Sequence, residues 1–369
     1  MEEGSTVFVG IDAAKARHAV ALAEAGRQGE VRYLGEIEAS PDAVKRLITR
    51  LAKKHGKLVI CYEAGPTGYG LYRQVIALGH ECIVVAPSLV PRKPGDRVKT
   101  NRRDAVQLAR LLRAGELTAV WVPDEAHEAM RDLVRARDAA VQDLTRKRQA
   151  ISSMLLRQGR AFPGKKTWGA RHERWLQQQS FPHPAQQIVL QELILAARHA
   201  KERLERIEAA MVELLPRWSL APLVEALQAL RGIRLVTAAT IAAEIGDLRR
   251  FETPRQLMGY LGLVPGERST GETVRRLGIT KAGNSRVRRT LVEAAWTYRH
   301  AAKIGKDKLY LHRRVGPTVR DIAWKAQSRL CARYRALAGR GKKLTVAVTA
   351  VARELAGFIW AIGREVQPA

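Results

Sequence analysis

Cysteine is scarce: the chain of 369 residues holds three, Cys61, Cys82 and Cys331. They are odd in number, far apart and in no C-x-x-C pair, which excludes a zinc ribbon and a disulfide framework and fits a reducing cytoplasm. Acidic residues are also few. Asp and Glu number 36 against 64 Lys and Arg, a formal charge of +28 that goes far beyond what solubility requires. Such a surplus points to a polyanionic partner, because each phosphate neutralised by a cation releases counterion, with a log–log salt slope of about 0.9 per contact on duplex DNA. An acidic membrane surface is the lesser alternative, and a basic surface of no purpose the bland one. No apolar run reaches the roughly 18 residues of a membrane span. Met1 to Thr6 is acidic and polar, unlike a secretory leader. The expected location is the cytoplasm, in association with the nucleoid. Internal repeats and long low-complexity tracts are missing too, and 46% hydrophobic residues over this length suit two or three domains with their own cores.

The runs Val7 to Ile11, Val20 to Ala23 and Val31 to Ile37 predict an antiparallel meander of three strands. A helix from about Pro41 to His55, a strand from Leu58 to Cys61, a helix from Tyr69 to Leu78 and a strand from Cys82 to Val85 follow. Three strands, then β and α in alternation, predict an RNase H-like (RuvC-like) sheet over residues 1–120. Pro87 to Asn101 carries three prolines and several cations and is expected to be a loop that rims a site, ahead of a helix face marked by Ala105, Leu108 and Leu112. From Glu125 to Leu155, and again from Val189 to Met211, apolar residues recur at intervals of three, four or seven. Together they predict a coiled-coil helical hairpin over residues 121–218, a spacer or oligomerisation element closed by Pro216. Beyond Pro222 come small apolar residues from Val236 to Ile245, a basic segment from Arg268 to Arg289 and a helical, cation-rich stretch from Val319 to Ile362. They set off a mostly helical C-terminal domain over residues 219–369, so the fold class is α/β plus all-α.

Three carboxylates stand at places where chemistry would need them. Asp12 ends the first strand, on the side of Phe8 and Gly10, opposite to Val7, Val9 and Ile11. Glu63 ends a strand that lies beside the first in an RNase H-like sheet, so the two carboxylates can converge at one sheet end. Asp104 opens a helix able to cross that end. Hard divalent cations take oxygen ligands, and two of them roughly 4 Å apart can activate an attacking oxygen and stabilise a leaving one, which is why phosphodiester chemistry gathers carboxylates. Singly, each has a duller explanation as a turn cap, a helix cap or a partner of a helix dipole. Their joint occurrence on the right elements favours a metal site.

Asp12 in VGIDAAK, Glu63 in YEAGPTGYG and the segment PGDRVKTNRRDA resemble the DEDD-type insertion-sequence transposases of the insertion sequence one-ten family. The C-terminal segments IAAEIGDLRRF, GYLGLVPGERSTG and GITKAGNSRVRRTLVEAAW resemble that family's second conserved domain, so the likeness runs from about Val7 to Trp296. It implies a RuvC-like nuclease domain, a coiled-coil spacer and a small transposase domain with a serine motif. The implied activity is DNA strand cleavage and exchange with Mg²⁺, two ions per active site, guided by a structured bridge RNA and carried out by a dimer or tetramer whose two sites meet between subunits.

Carried over residue by residue, the four metal positions are Asp12, Glu63, residue 101 and Asp104, but the third is Asn101 here. Asparagine still offers a neutral carbonyl oxygen, one helical turn from Asp104, while a full charge is lost. Glu267-Arg268-Ser269-Thr270-Gly271 resembles the serine motif, whose hydroxyl attacks DNA to form a covalent phosphoserine link; Ser269 is the candidate and Thr270 its rival. Read from residues alone, Ser-Thr-Gly is a turn. Arg268, Arg275 and Arg276 are close enough in sequence to balance developing charge on phosphorus. Lys281, Asn284, Arg286, Arg288 and Arg289 surround the expected start of the helix Ser285 to Trp296 and are read as phosphate ligands, a solvated basic face being the alternative. The loop cations Arg92, Lys93, Arg97, Lys99, Arg102 and Arg103 are expected to hold substrate backbone near the carboxylates. A water-using Holliday-junction nuclease and a non-catalytic nucleic-acid-binding protein remain the alternative functions.

Overall fold

The three apolar runs at the start of the chain become β1 (Val7–Ala13), β2 (Arg17–Glu24) and β3 (Val31–Glu38) in the computed structural model, which describes residues 6–91, 100–271 and 273–366. Ser40 caps α1 (Pro41–His55) by accepting from the Ala43 N–H, with Pro41 in the first turn where its missing N–H costs nothing. Next come β4 (Leu58–Glu63), α2 (Gly70–Ala77), β5 (Glu81–Val85) and α3 (Asn101–Arg113). The sheet order is β3-β2-β1-β4-β5; β1, β2 and β3 are antiparallel neighbours, while β4 runs parallel to β1 and β5 parallel to β4. With α1 to α3 these strands form one compact unit, Met1–Val122, and the rest of the chain a second, Pro123–Ala369.

Strand alternation divides the first unit into layers. Val7, Val9 and Ile11 of β1 pack with Ile60 and Tyr62 of β4 and with Val44, Leu47, Ile48 and Leu51 of α1. The opposite face is built from small side chains: Ala19, Ala21 and Ala23 of β2 pack against Ala105 and Ala109 of α3, and Cys61 of β4 against Leu108 and Leu112. Small residues on both partners let α3 settle closely onto the sheet. Its far end is tied down where the Arg113 guanidinium donates to the carbonyl oxygens of Gly29 (2.6 Å) and Glu24 (3.2 Å).

In the second unit α4 (Glu125–Arg157) and α6 (Pro184–Leu214) pack along one another, with α5 (Ala170–Gln177) between them in sequence. Ile151, Met154, Leu155, Leu176 and Leu190 form one small core of this hairpin, whereas Met130, Val134 and Met211 belong to the core of the C-terminal helices. Those helices are α7 (Ala221–Leu227), α8 (Leu235–Ile245), α9 (Pro254–Tyr260), α10 (Ser285–Ala295), α11 (Lys306–Arg314), α12 (Pro317–Gly339) and α13 (Leu344–Glu365). The helical stretch expected from Val319 to Ile362 is two helices, parted near Gly341, whose φ of +70° favours glycine. Helix α13 is long and apolar enough to cross a membrane, but half of it is buried in the fold, with Val348, Val351, Leu355 and Ile359 in the core. The basic segment that begins at Arg268 lies in its first part in a β-hairpin of β6 (Pro265–Thr270) and β7 (Thr273–Ile279), with Gly271 at φ +59° leaving the first strand.

Candidate active site

The register of the sheet brings the ends of β1 and β4 side by side. Ile11 pairs with Tyr62, so Asp12 and Glu63, each one residue further, stand at the same end of two adjacent parallel strands. Both share a sheet face with α3. Asp12 is two residues beyond Gly10, against which α3 packs, and Glu63 is two beyond Cys61, whose thiol donates to the Leu108 carbonyl at 3.6 Å. Asp104 lies in the first turn of α3, where a helix N-terminus favours negative charge, and Thr100 caps that turn by accepting from the Arg103 N–H at 3.3 Å. Asp12, Glu63 and Asp104 are half-buried, and Asn101, one turn before Asp104, is exposed.

The strand behind Glu63 is fixed by Tyr62, which is fully buried and donates its hydroxyl to the Gly68 carbonyl at 3.2 Å, so the loop after Glu63 is pinned to the sheet. Among the described residues no three His, Cys, Asp or Glu side chains are gathered as a metal would hold them. The donors suit a hard divalent cation in chemistry, all being oxygen: Asp12 and Glu63 stand at one end of one sheet face, and Asp104 and Asn101 in the first turn of the helix packed on that face. Arg102, exposed, places its guanidinium 5.3 Å from the centre of the Tyr33 ring, and Arg103 is exposed on the same turn. Arg92, Lys93, Arg97 and Lys99 lie outside the described residues.

In the second unit the hairpin presents Ser269 to solvent. Its hydroxyl donates to Oε1 of Glu267 at 2.6 Å, since residues two apart on a strand share a face. Thr270 falls on the other face, with Arg268, which stands opposite Arg275, while Arg276 occupies the register position opposite Glu267. The two faces therefore separate the rivals: Ser269 shares its face with the Glu267 carboxylate and the Arg276 position, and Thr270 with the Arg268 and Arg275 positions. Glu267 is a residue that motif reading passed over, although its spacing from Ser269 on a strand is the signal that would have found it.

The basic cluster around α10 has a different surrounding from the one expected. Asn284 caps α10 through its Oδ1, which accepts from the N–H groups of Arg286 (3.0 Å) and Val287 (3.1 Å), and its amide nitrogen donates to Glu244 at 2.8 Å. Arg286 pairs with Asp138 of α4 and with Glu244, and Arg289 donates to Asp138 at 2.8 Å. Glu244 also takes two hydrogen bonds from Arg135 at 2.8 and 3.0 Å. Burial pushes the Glu244 carboxyl up, but the hydrogen bonds of Arg135 and Asn284 and the charges of Arg135 and Arg131 outweigh it and hold the group below its ordinary value. Arg288 donates to the carbonyl oxygens of Leu261 (2.9 Å) and Ala282 (2.7 Å). These side chains knit α4, α8 and α10 together; of the five, Lys281, at φ +57°, and Arg289 are exposed.

Sequence comparison agrees with this arrangement. A DEDD transposase model matches residues 9–159, which hold Asp12, Glu63, Asn101 and Asp104, and a model described as the transposase IS116/IS110/IS902 family matches residues 224–310, which hold Ser269. The chain is 64% identical over 97% of its length to transposase y4qE of Sinorhizobium fredii, covering 88% of that protein. It is 31% identical to the transposase for insertion sequence element IS1533 of Leptospira borgpetersenii, over 92% of this chain and 98% of that one. A protein of insertion element IS110 from Streptomyces coelicolor is 26% identical over 80% of the chain and 84% of its own length. A mixed α/β unit with carboxylates at one sheet end, followed by a mostly helical unit, is thus that of a DEDD transposase. Within that class the chain belongs to the IS110, or insertion sequence one-ten, family.

Proposed function

We propose that this transposase cleaves and rejoins DNA through a covalent serine–DNA intermediate, with Ser269 as nucleophile and a divalent-cation site on an RNase H-like sheet. The observation that carries the reading is the place of Asp12 and Glu63: adjacent ends of parallel strands, on one face, in a sheet of order β3-β2-β1-β4-β5. That strand order and sense support an RNase H-like fold. Asp12, Glu63 and Asp104, with the Asn101 carbonyl oxygen as a neutral fourth donor, are the groups that would hold Mg²⁺. When bound, the metal stabilises charge on the attacked phosphate and on the departing oxygen.

The chain's own residues do the rest. Glu267 accepts the hydroxyl proton as Ser269 Oγ forms its bond to phosphorus, and the P–O bond to the leaving sugar oxygen breaks with its electron pair, which takes up a proton. Reversal of the same step by another strand's hydroxyl rejoins DNA and returns the proton to the serine, so bond energy is kept and no nucleotide triphosphate is consumed. The formal charge of +28 supports DNA as substrate and a structured guide RNA as partner. Exposed Ile188, Val189 and Leu195 on α6 support assembly through the helical hairpin into a dimer or tetramer.

The test is incubation with the element's joined-end DNA, its candidate RNA and Mg²⁺, followed by denaturation. A protein–DNA adduct that disappears in Ser269→Ala and in Asp12→Ala is expected. Clean cutting without any adduct would replace the serine by water, and tight binding without reaction would leave a nucleic-acid-binding protein only.

A further inference from the structure

The turn between α7 and α8 has no part in the reaction described so far. Gly232 there is at φ +79°, and a Cβ on it would stand 2.5 Å from the Ala294 carbonyl oxygen and 2.7 Å from Thr297 Oγ1, so the turn is pressed onto the end of α10. The carbonyls of Gln228, Leu230 and Ile233 all converge on one atom, Nζ of Lys308 on α11, at 3.0 Å for Leu230 and 2.5 Å for Ile233. An ammonium carries three N–H donors and no acceptor. All three are spent on these carbonyls, so Lys308 has no donor left for a ligand and acts as a fixed point charge. Rings of backbone carbonyls are also what replaces the hydration shell of an alkali cation. Beside this cage lies a cavity of about 490 Å³ lined by Lys308, Arg231, Arg234, Arg299, Thr237 and Trp296 among others.

We propose that this cavity binds a phosphate of the DNA backbone, and that the Lys308 ammonium is the resident cation of the site, occupying a carbonyl cage that an alkali-metal ion would otherwise fill. The inference rests on the reading that the chain acts on DNA. Burial and the neighbouring Arg234 charge pull the Lys308 pKa down to about 8, so holding the charge is costly, and an anion beside it would relieve that cost. Three other cationic side chains line the same space, and Thr237 adds a hydroxyl donor.

Lys308→Met keeps the length of the stem and removes the charge. Duplex affinity of the full chain is read by fluorescence anisotropy at one ionic strength, in potassium chloride and in tetramethylammonium chloride, whose cation is too large for the cage. Wild type should bind equally in both salts. The variant should lose roughly tenfold in tetramethylammonium, about 1.4 kcal/mol, and regain most of it in potassium. Wild-type affinity of the variant in both salts, or an equal loss in both, overturns the proposal. Should the variant melt below the assay temperature, Arg299→Ala decides, because Arg299 is exposed on the rim. It should lower the slope of log Kd against log salt by about one, and an unchanged slope and affinity overturn the proposal as well. Loss of RNA binding with duplex binding intact would overturn the assignment to DNA, and displacement of duplex by inorganic phosphate as readily as by competitor DNA would reduce the site to one for the free anion. Wild-type protein that ignores duplex altogether defeats the functional reading too, whereas an indifferent Lys308→Met in a protein that binds DNA defeats this inference alone.

Discussion

Gly10 of β1 and Ala105 of α3 meet backbone to backbone: a Cβ added at Gly10 would fall inside contact distance of the Ala105 carbonyl oxygen and the Ala109 nitrogen, and 2.9 Å from Leu108 Cβ. This contact sets how low α3 lies on the sheet, and α3 carries Asp104 and Asn101 in its first turn toward the sheet end where Asp12 stands. The absence of a side chain two residues before Asp12 is therefore part of the site.

Gly10→Ala should lift or tilt α3. Its backbone is not in the left-handed region, so the cost comes from overpacking alone, about 1–3 kcal/mol. A fall in denaturant midpoint, together with a rise in the Mg²⁺ concentration needed for half-maximal cleavage, is the expected pair of results. Loss of stability with unchanged metal dependence would show that α3 places no metal-binding group.

The hydrogen bond from Ser269 to Glu267 makes the two rivals in the serine motif unequal. Ser269→Ala should abolish the denaturation-resistant adduct, and Thr270→Ala should retain it. Glu267→Gln removes the proton acceptor without changing the shape, and the rate of adduct formation should fall by roughly 10²- to 10⁴-fold. Duplex affinity should stay as in wild type. Single-turnover kinetics with separate binding titrations distinguish these effects.

The first unit was legible because each strand and helix declared itself locally. Alternation in Val7, Val9 and Ile11 gave the buried face, Pro41 the start of α1, and the alternating order of strand and helix the neighbours of β1. The α10 region was not, for a physical reason. Arg286 and Arg289 look like phosphate ligands until their partners are seen, and those partners, Asp138 on α4 and Glu244 on α8, are far away in sequence. Short-range charge patterning carries no trace of such a pair. The hairpin was obscured likewise: Arg268 and Arg275, cations directly opposite one another, hide a two-stranded pattern under what reads only as a basic segment.

Asn101 is exposed at the first position of α3, one turn before Asp104. Asn101→Asp should gain on two counts: a charged oxygen donor for the cation, and a negative charge at a helix N-terminus, which alone stabilises by about 0.3–1 kcal/mol. Cleavage should then reach half its maximum at lower Mg²⁺, and the melting temperature without metal should rise slightly. An Asn101→Asp protein that needs the same Mg²⁺ would place residue 101 outside the metal site.

The network around Glu244 predicts where acid will unfold the second unit. Its side chain is 2% exposed and is faced by Arg135 and Arg131 of α4 and by Arg286 and Asn284 of the α10 start. Because its folded pKa is depressed below the ordinary 4.5, the carboxylate's contribution is complete above about pH 4.5 and is lost as pH falls through the folded value. Thermal melting of wild type should therefore decline more steeply below pH 4.5 than that of Glu244→Gln, which starts lower because removing one partner of a buried pair costs about 3–5 kcal/mol. The half-exposed Arg135 can turn to water, which favours the low end of that range. Arg289→Ala separates structure from binding in the same assay. If Arg289 serves Asp138, the variant melts earlier and keeps the wild-type salt slope on DNA; a slope lower by about one with unchanged melting would return it to the phosphate ligands.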